Sequence, residues 1–227
     1  MANSAWPKSL WAEVSAPGPE LAALDGDRET DAIVIGAGFT GLSTALHLAE
    51  DGVEVVVIEA VAPGWGASGR NNGQVIPTLT RPDPDDIEAR HGEAGERFVA
   101  LLRDSAQFLF DVVRRYDLAA EAEQTGWVQP VHTPGRMKIA ERRVAQWSRR
   151  GAPAELLSRD QVRDMTGSEI WFGGFWNRTG GHINPLALAR ELARVAVEKG
   201  ARIFVDTPAT GVRHDGRRWV VDTPRGK

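Results

Sequence analysis

Three glycines and a carboxylate carry the chemistry that stands out in this sequence. In "DAIVIGAGFTGLSTALHLAEDGVEVVVIEA" (Asp31 to Ala60), Gly36, Gly38 and Gly41 follow a short apolar run, and Glu59 ends a second one. Each glycine has a separate physical task. Gly36 permits the tight turn out of a strand, Gly38 lets the backbone approach a pyrophosphate, and Gly41 lets the next helix pack against the strand. A helix opening near Phe39 and Thr40 points unpaired N–H groups at the phosphates. Glu59 stands where a carboxylate accepts hydrogen bonds from ribose hydroxyls, and its charge repels a 2′-phosphate, which argues against NADP. The bland alternative is a glycine-rich turn of no function. Strand, glycines, amphipathic helix, strand and terminal glutamate in succession outweigh it.

That fingerprint suits FAD and NAD alike, since both contain an ADP half. The next stretch, "APGWGASGRNNGQ" (Ala62 to Gln74), discriminates between them. It follows Glu59 closely, is too irregular for a crossover helix, and offers many backbone donors along Ala67, Ser68, Gly69, Arg70, Asn71, Asn72, Gly73 and Gln74. Ser68, Arg70, Asn71, Asn72 and Gln74 add side-chain donors. Such a loop can follow a long cofactor past its pyrophosphate toward a flavin ring, or it can be a plain surface turn. Arg70 either offsets negative charge on a reduced flavin or caps its own loop, and Trp65 reads as a packing anchor.

The elements that position these residues follow from pattern. Ala32 to Gly36 is an apolar run expected as a strand buried on both faces. Leu42, Ala45, Leu46 and Ala49 recur at helical spacing between Thr40 and Glu50, Gly52 stops that helix, and Val53 to Glu59 returns as a strand. The β-α-β unit has the length that a parallel crossover needs. Residues 1–30, with Pro7, Pro17, Gly18, Pro19 and Gly26, read as an irregular arm whose Trp6, Leu10 and Trp11 pack on something. Phe98 to Tyr116 is a long amphipathic helix. Strands are expected near "GWVQPVH" and "RMKIA", a helix over Arg142 to Arg150, and a strand interrupted at Gly173 and Gly174 within Ile170 to Trp176. Asn184 caps a helix with Pro185 in its first turn, ending at Gly200. "ARIFVDT", "TGVRHD" and "RRWVVDT" read as three short strands. The closing "PRGK" is a turn with no strand after it, the mark of an interrupted sequence.

Composition narrows the classes. The chain has 227 residues, 42% hydrophobic and 26% charged, enough for one large domain or for one and part of another. A net charge of -4 makes no case for nucleic-acid binding. The acidic stretch Arg81 to Glu96 reads as solvated surface. Without cysteine there is no disulfide, thiolate metal site, cysteine nucleophile or cysteine-linked flavin. No apolar stretch reaches membrane-spanning length, the N-terminus does not read as a secretory signal, and the expected location is cytoplasmic. No two histidines have metal-ligand spacing, so no metal is expected. His182, in a glycine-flanked turn, either reaches a ligand or, as the more common case, is a hydrogen-bonded structural residue. His47, His91, His132 and His214 read as surface or structural. Trp171, Phe172, Phe175 and Trp176 pack a sheet or, less simply, wall an amine pocket.

Phe39-Thr40-Gly41-Leu42, Gly64-Trp65-Gly66-Ala67-Ser68-Gly69-Arg70-Asn71 and Gly180-Gly181-His182-Ile183-Asn184-Pro185 resemble the D-amino-acid oxidase family of FAD-dependent enzymes. "SGRNNGQ" and "SLWAE" are most similar to its γ-glutamylputrescine oxidase-like branch. The resemblance implies an α/β fold: a Rossmann-like FAD-binding βαβ domain, with part of a mixed-sheet (α+β) substrate domain inserted. It divides the chain into an arm (1–30), FAD-binding segments (31–80 and 184–227) and a helical segment with partial substrate domain (81–183). It further implies that Gly36, Gly38 and Gly41 hold the pyrophosphate, Glu59 the ribose, and Ala67 to Gln74 the approach to the isoalloxazine. The implied reaction is oxidation of a C–N bond in an amine or amino acid by hydride transfer to FAD, with oxygen or a quinone-linked membrane carrier as final acceptor. No catalytic side chain can be assigned. Family members are roughly twice as long, so the resemblance implies an N-terminal portion. Two competing readings stand beside it, an NAD-dependent dehydrogenase and a non-catalytic nucleotide-binding remnant.

Overall fold

A computed structural model describes residues 6, 8–79 and 81–227. In chain order its elements are α1 (Leu10–Val14), β1 (Ala32–Ile35), α2 (Phe39–Glu50), β2 (Val55–Ile58), β3 (Gln74–Val75), α3 (Pro84–Arg115), β4 (Trp127–Pro130) and α4 (Met137–Ser148). They continue as β5 (Ala154–Leu157), α5 (Arg159–Thr166), β6 (Gly174–Asn177), β7 (Gly181–His182), α6 (Pro185–Glu198), β8 (Arg202–Phe204), β9 (Gly211–His214) and β10 (Trp219–Asp222). Single 3₁₀ turns occur at Ala67–Gly69 and Pro134–Arg136. Pro7, among the arm's expected breakers, and Thr80, the end of the first expected segment, lie outside the described residues.

The chain divides into two compact units, one of Met1–Gly73, Tyr116–Glu121 and Asn184–Lys227, the other of Gln74–Arg115 and Ala122–Ile183. In the first, the β-branched runs form a parallel sheet in the order β1-β2-β8, with Val34 opposite Val57 and Val57 opposite Ile203. Its α2 buries Leu42, Ala45, Leu46 and Ala49 and packs against α6, whose Asn184 side chain caps the helix by accepting from the Ala187 N–H at 3.1 Å. The opposite face of the sheet, at Val56 and Ile58, packs on Val221 of β10. One expectation is corrected here. β1 is an edge strand with Ile33 and Ile35 37% and 53% exposed, so it is not buried on both faces. The three expected terminal strands are present: β8 joins the parallel sheet through Val56 to Ile58, and β9 and β10 form an antiparallel pair.

The arm is not wholly irregular, since α1 is capped by Ser9, which accepts from the Ala12 N–H at 3.3 Å. Trp11 packs as expected and Trp6 lies beneath the Arg190 guanidinium, 4.9 Å from it, but Leu10 is exposed.

In the second unit β4 and β5 flank β6 in an antiparallel sheet, and Phe175, Trp147, Val99 and Ala140 form its core. The long helix begins at Pro84, fourteen residues before Phe98, and breaks at Gly92 (φ 53°). "RMKIA" is helical: Met137, Ala140, Val144 and Trp147 share one helix face and all join that core, a longer-range pattern that the alternation of Met137 and Ile139 conceals. β5 and α5 are additional to the expected elements, and Ser158 and Gln161 form a capping box at α5. The strand expected at Ile170 to Trp176 is confined to Gly174–Asn177, with Phe175 buried and Phe172 exposed.

The acidic stretch is only partly solvated. Asp83 is 2% exposed and accepts from Arg143 Nε at 2.9 Å and Arg142 Nε at 2.7 Å. Arg150 hydrogen-bonds Glu88 and holds its carboxyl below the ordinary range against partial desolvation. Asp83→Ala strands the buried Arg143 guanidinium without its carboxylate, which costs about 3 kcal/mol or more. Urea unfolding should show a lower midpoint at unchanged slope, and a loss below about 1 kcal/mol, the range of surface pairs, would contradict the assignment.

Candidate functional site

Both glycine loops leave the same end of the parallel sheet of the first unit. The first turns out of β1 at Gly36, whose φ of +101° is open to glycine and strained for other residues. The Gly36 N–H donates to Ile58 O at 2.8 Å, which fixes the turn to the end of β2. A Cβ on Gly41 would overlap the Gly36 carbonyl oxygen and meet Val34 Cγ1 at 3.1 Å, so this glycine is what lets α2 rest on β1. The helix opens at Gly38, which has no side chain to cap it, and the first intrahelical bond is Leu42 N–H to Gly38 O at 2.9 Å. The amides of Phe39, Thr40 and Gly41 therefore precede the helical ladder and face out of its end.

Glu59 and the second loop brace this turn. Glu59 Oε2 accepts from the Ala37 N–H at 2.7 Å, and Oε1 accepts from the Val61 N–H at 3.0 Å. Gly64 N–H donates to Ala37 O at 3.0 Å, and Ser68 Oγ accepts from the Phe39 N–H at 3.1 Å. Ser68 thus caps α2 from a distant loop, and a Cβ at Gly38 would stand 2.8 Å from its Oγ. Gly64 and Gly69 let the second loop lie against α6: a Cβ at Gly64 would reach Ala189 at 2.8 Å, and one at Gly69 would overlap the Gly64 carbonyl.

The remaining predicted residues fall into place around that frame. Asn71 Oδ1 accepts from the Gly73 N–H at 2.9 Å and its Nδ2 donates to Ser68 O at 2.8 Å, closing the loop on itself. Gly73 takes the left-handed conformation, with φ +72°. Arg70 Nε donates to Gly66 O at 3.1 Å and its guanidinium lies 5.1 Å from the centre of the Trp65 ring, so the loop-capping arrangement is the one present. Trp65 is half-buried, and its Nε1 is shielded from solvent with no hydrogen-bond partner. Ala67 sits on the 3₁₀ turn and is exposed. Gln74 belongs to the second unit, in β3, where its Oε1 accepts from Trp127 Nε1 at 2.9 Å. Trp11 joins the frame from outside the expected site residues: its Nε1 donates to Asn71 O at 2.8 Å, so α1 braces the second loop.

His182 serves through its backbone, which exchanges hydrogen bonds with Glu123 at 2.9 and 3.0 Å, while its side chain is exposed. His47 Nδ1 contacts Ser43 O at 2.7 Å within α2. Among the described residues no group of three or more His, Asp or Glu side chains is arranged to hold a metal, and no helix is long and apolar enough to cross a membrane.

Comparison with known proteins accords with the arrangement. The sequence model of the DAO family, described as FAD dependent oxidoreductase, matches residues 31–227. The chain belongs to this family. It is 33% identical over 199 residues to gamma-glutamylputrescine oxidoreductase of Escherichia coli (strain K12), covering 87% of this chain and 46% of that protein. It is 31% identical to probable oxidoreductase OrdL of Rhizobium meliloti, covering 97% of this chain and 52% of the relative. The chain therefore spans about half the length of these relatives. Glycine oxidase from Geobacillus kaustophilus has the same fold with a TM-score of 0.73 at 20% identity, over 86% of this chain and 51% of that one. FAD is the cofactor of the family, and the residues present fit it: a helix opening with no side chain at Gly38 itself, and two loops whose glycines bring backbone close to backbone.

The Gly41 contact leads to a direct check. Gly41→Ala forces α2 away from β1 and should destabilise the chain by about 1–3 kcal/mol, as overpacking does. Denaturant unfolding measures it, and an unchanged midpoint would show that the helix does not rest on Gly36.

Proposed function

We propose that the chain forms the dinucleotide-holding part of an FAD-dependent oxidoreductase that oxidises a C–N bond of an amine or amino acid. One observation carries this reading: the two glycine loops, tied to each other through Ala37, Phe39, Glu59 and Ser68, lie inside the span matched by the family model. In this reading the outward amides of Thr40 and Gly41 and the bare backbone of Gly36 and Gly38 receive the pyrophosphate, while the Phe39 amide stays with Ser68. Glu59, already accepting two backbone N–H groups, keeps lone pairs for a ribose hydroxyl. The loop from Ala67 to Gly73 leads toward the ring. Ser68 is bifunctional there, since its oxygen accepts from Phe39 and its proton is free to go to a phosphate oxygen.

Bound FAD supplies the two-electron acceptor for hydride leaving the carbon next to nitrogen, and the resulting imine hydrolyses to a carbonyl compound. The protein's share is placement, charge and exclusion of water. Segments 31–80 and 184–227 form the FAD-binding domain in this proposal, and residues 81–183 part of the substrate domain. Oxygen or a quinone-linked carrier as acceptor, and a cytoplasmic location, belong to the same proposal and rest on the resemblance. Because the chain spans about half the length of the Escherichia coli and Rhizobium relatives, we expect weak FAD binding and no amine turnover from these 227 residues alone.

Glu59→Lys tests the ribose contact. Losing hydrogen bonds to a charged group costs about 1.5–3 kcal/mol, or about one to two decades of affinity. Titration of FAD by fluorescence quenching should show that loss. Equal affinity in variant and parent would take Glu59 out of the site, and binding of NAD but not FAD would favour a nicotinamide-dependent enzyme.

A further inference from the structure

The long helix of the second unit is apolar over more of its surface than its own core covers. Beyond the break at Gly92, α3 runs on to Arg115, with Val99, Ala106 and Phe110 buried and Leu102 packed against the core. A second apolar stripe lies on its outer side. Ala94, Phe98, Leu101, Ser105, Phe108 and Val112 follow one another at alternating steps of four and three residues, the spacing of a helix-pairing seam. Phe98, Leu101 and Phe108 are 45%, 68% and 56% exposed. Ser105 does not break the stripe, because its hydroxyl donates to Leu102 O at 2.8 Å within the helix. Large apolar side chains aligned in the open over about 27 Å of helix mark an interaction surface.

We propose that a second copy of this chain docks on the stripe, α3 against α3 in antiparallel sense about a two-fold axis. The order of the residues is self-complementary in that sense. Antiparallel pairing sets Phe98 of one copy against Phe108 of the other, Leu101 against Ser105, and Ala94 against Val112. Each layer then occurs twice, as a two-fold contact requires. Charge selects the same arrangement. Arg97, Asp104 and Asp111 recur every seven residues along one flank of the stripe, and all three are exposed. Within one copy they make surface pairs, Arg97 with Glu93 at 3.8 Å and Asp111 with Arg114 at 2.6 Å. In the antiparallel pair, Arg97 of each copy reaches Asp111 of the other, so opposite charges meet at both ends. Asp104 meets its like at the centre, where each is already held by Arg103 at 2.7 Å. Parallel pairing would instead place Arg97 and Asp104 opposite Leu102 and Leu109, and both charges would go unanswered. Every residue of the seam belongs to the second unit, so the proposal is independent of the cofactor and of the substrate.

Sedimentation equilibrium of the 227-residue chain, without FAD, reads the association directly. A monomer–dimer equilibrium should be visible by about 50 μM, since one helix pair is a small interface. Leu101→Glu puts a charge into the seam from both copies and should weaken the dimer about a hundredfold. Arg97→Asp turns two attractive pairs into repulsive ones and should weaken it about fivefold, as should Asp111→Arg. The double variant, Arg97→Asp with Asp111→Arg, restores opposite charges and should recover most of that loss. All these positions are exposed, so circular dichroism should be the same in every variant. If Leu101→Glu fails to fold, the charge reversals decide alone. A chain that stays monomeric at that concentration would overturn the proposal, and so would a monomer that binds phosphatidylcholine vesicles instead. Open-ended oligomers, a dimer indifferent to a folded Leu101→Glu, or charge reversals that the double variant does not rescue would overturn it equally.

Discussion

The structure of the first unit depends on one close approach, that of the α2 backbone at Gly41 to the carbonyl of Gly36. Because nothing larger than hydrogen fits between them, α2 lies directly on β1 and its opening amides are aimed past the strand ends. Everything else in the site is arranged around that crossing. Glu59 holds the Ala37 amide, Gly64 holds the Ala37 carbonyl, and Ser68 holds the Phe39 amide. Ala37 is fully buried, so both its backbone groups need partners, and each comes from beyond the end of β2. The second loop is thus part of the first loop's hydrogen bonding, not an independent appendage.

This explains why the second loop is so rich in glycine. It must lie within backbone distance of its own turn and of α6, and Gly64 and Gly69 are where a Cβ would collide. α6 supplies the floor with Leu186 and Ala189, and α1 supplies a side brace through Trp11. Three stretches far apart in sequence, the first loop, α1 and α6, therefore fix one short segment, Ala67–Gly73, whose own hydrogen bonds are mostly local.

What was legible in the sequence was local or periodic. The β-α-β unit follows from apolar runs at known spacing, and α6 from an asparagine cap with proline in the first turn. What was hidden depends on partners distant in the chain. Asp83 reads as one more surface carboxylate until Arg142 and Arg143, about sixty residues on, are folded against it. β1 reads as a core strand because its composition is that of one, and only the strand order shows that it is an edge. "RMKIA" alternates over five residues and is helical over twelve. Among site residues, the glycines and Glu59 were recognisable from spacing, whereas the cap that Ser68 gives α2 and the brace from Trp11 had no signal beyond residue type. The capping box of α5 is a local signal of the same kind, legible as Ser158-x-x-Gln161.

The central claim is that the two stapled loops are the cradle of a flavin dinucleotide, and site-resolved amide shifts on titration test it most directly. FAD should move the amides of Gly36 to Gly41 and of Ala67 to Gly73 together, while ADP, which lacks the ring, should move the first set and leave most of the second in place. Shifts from FAD that fall elsewhere, or a first loop that remains still while FAD binds, would contradict the account.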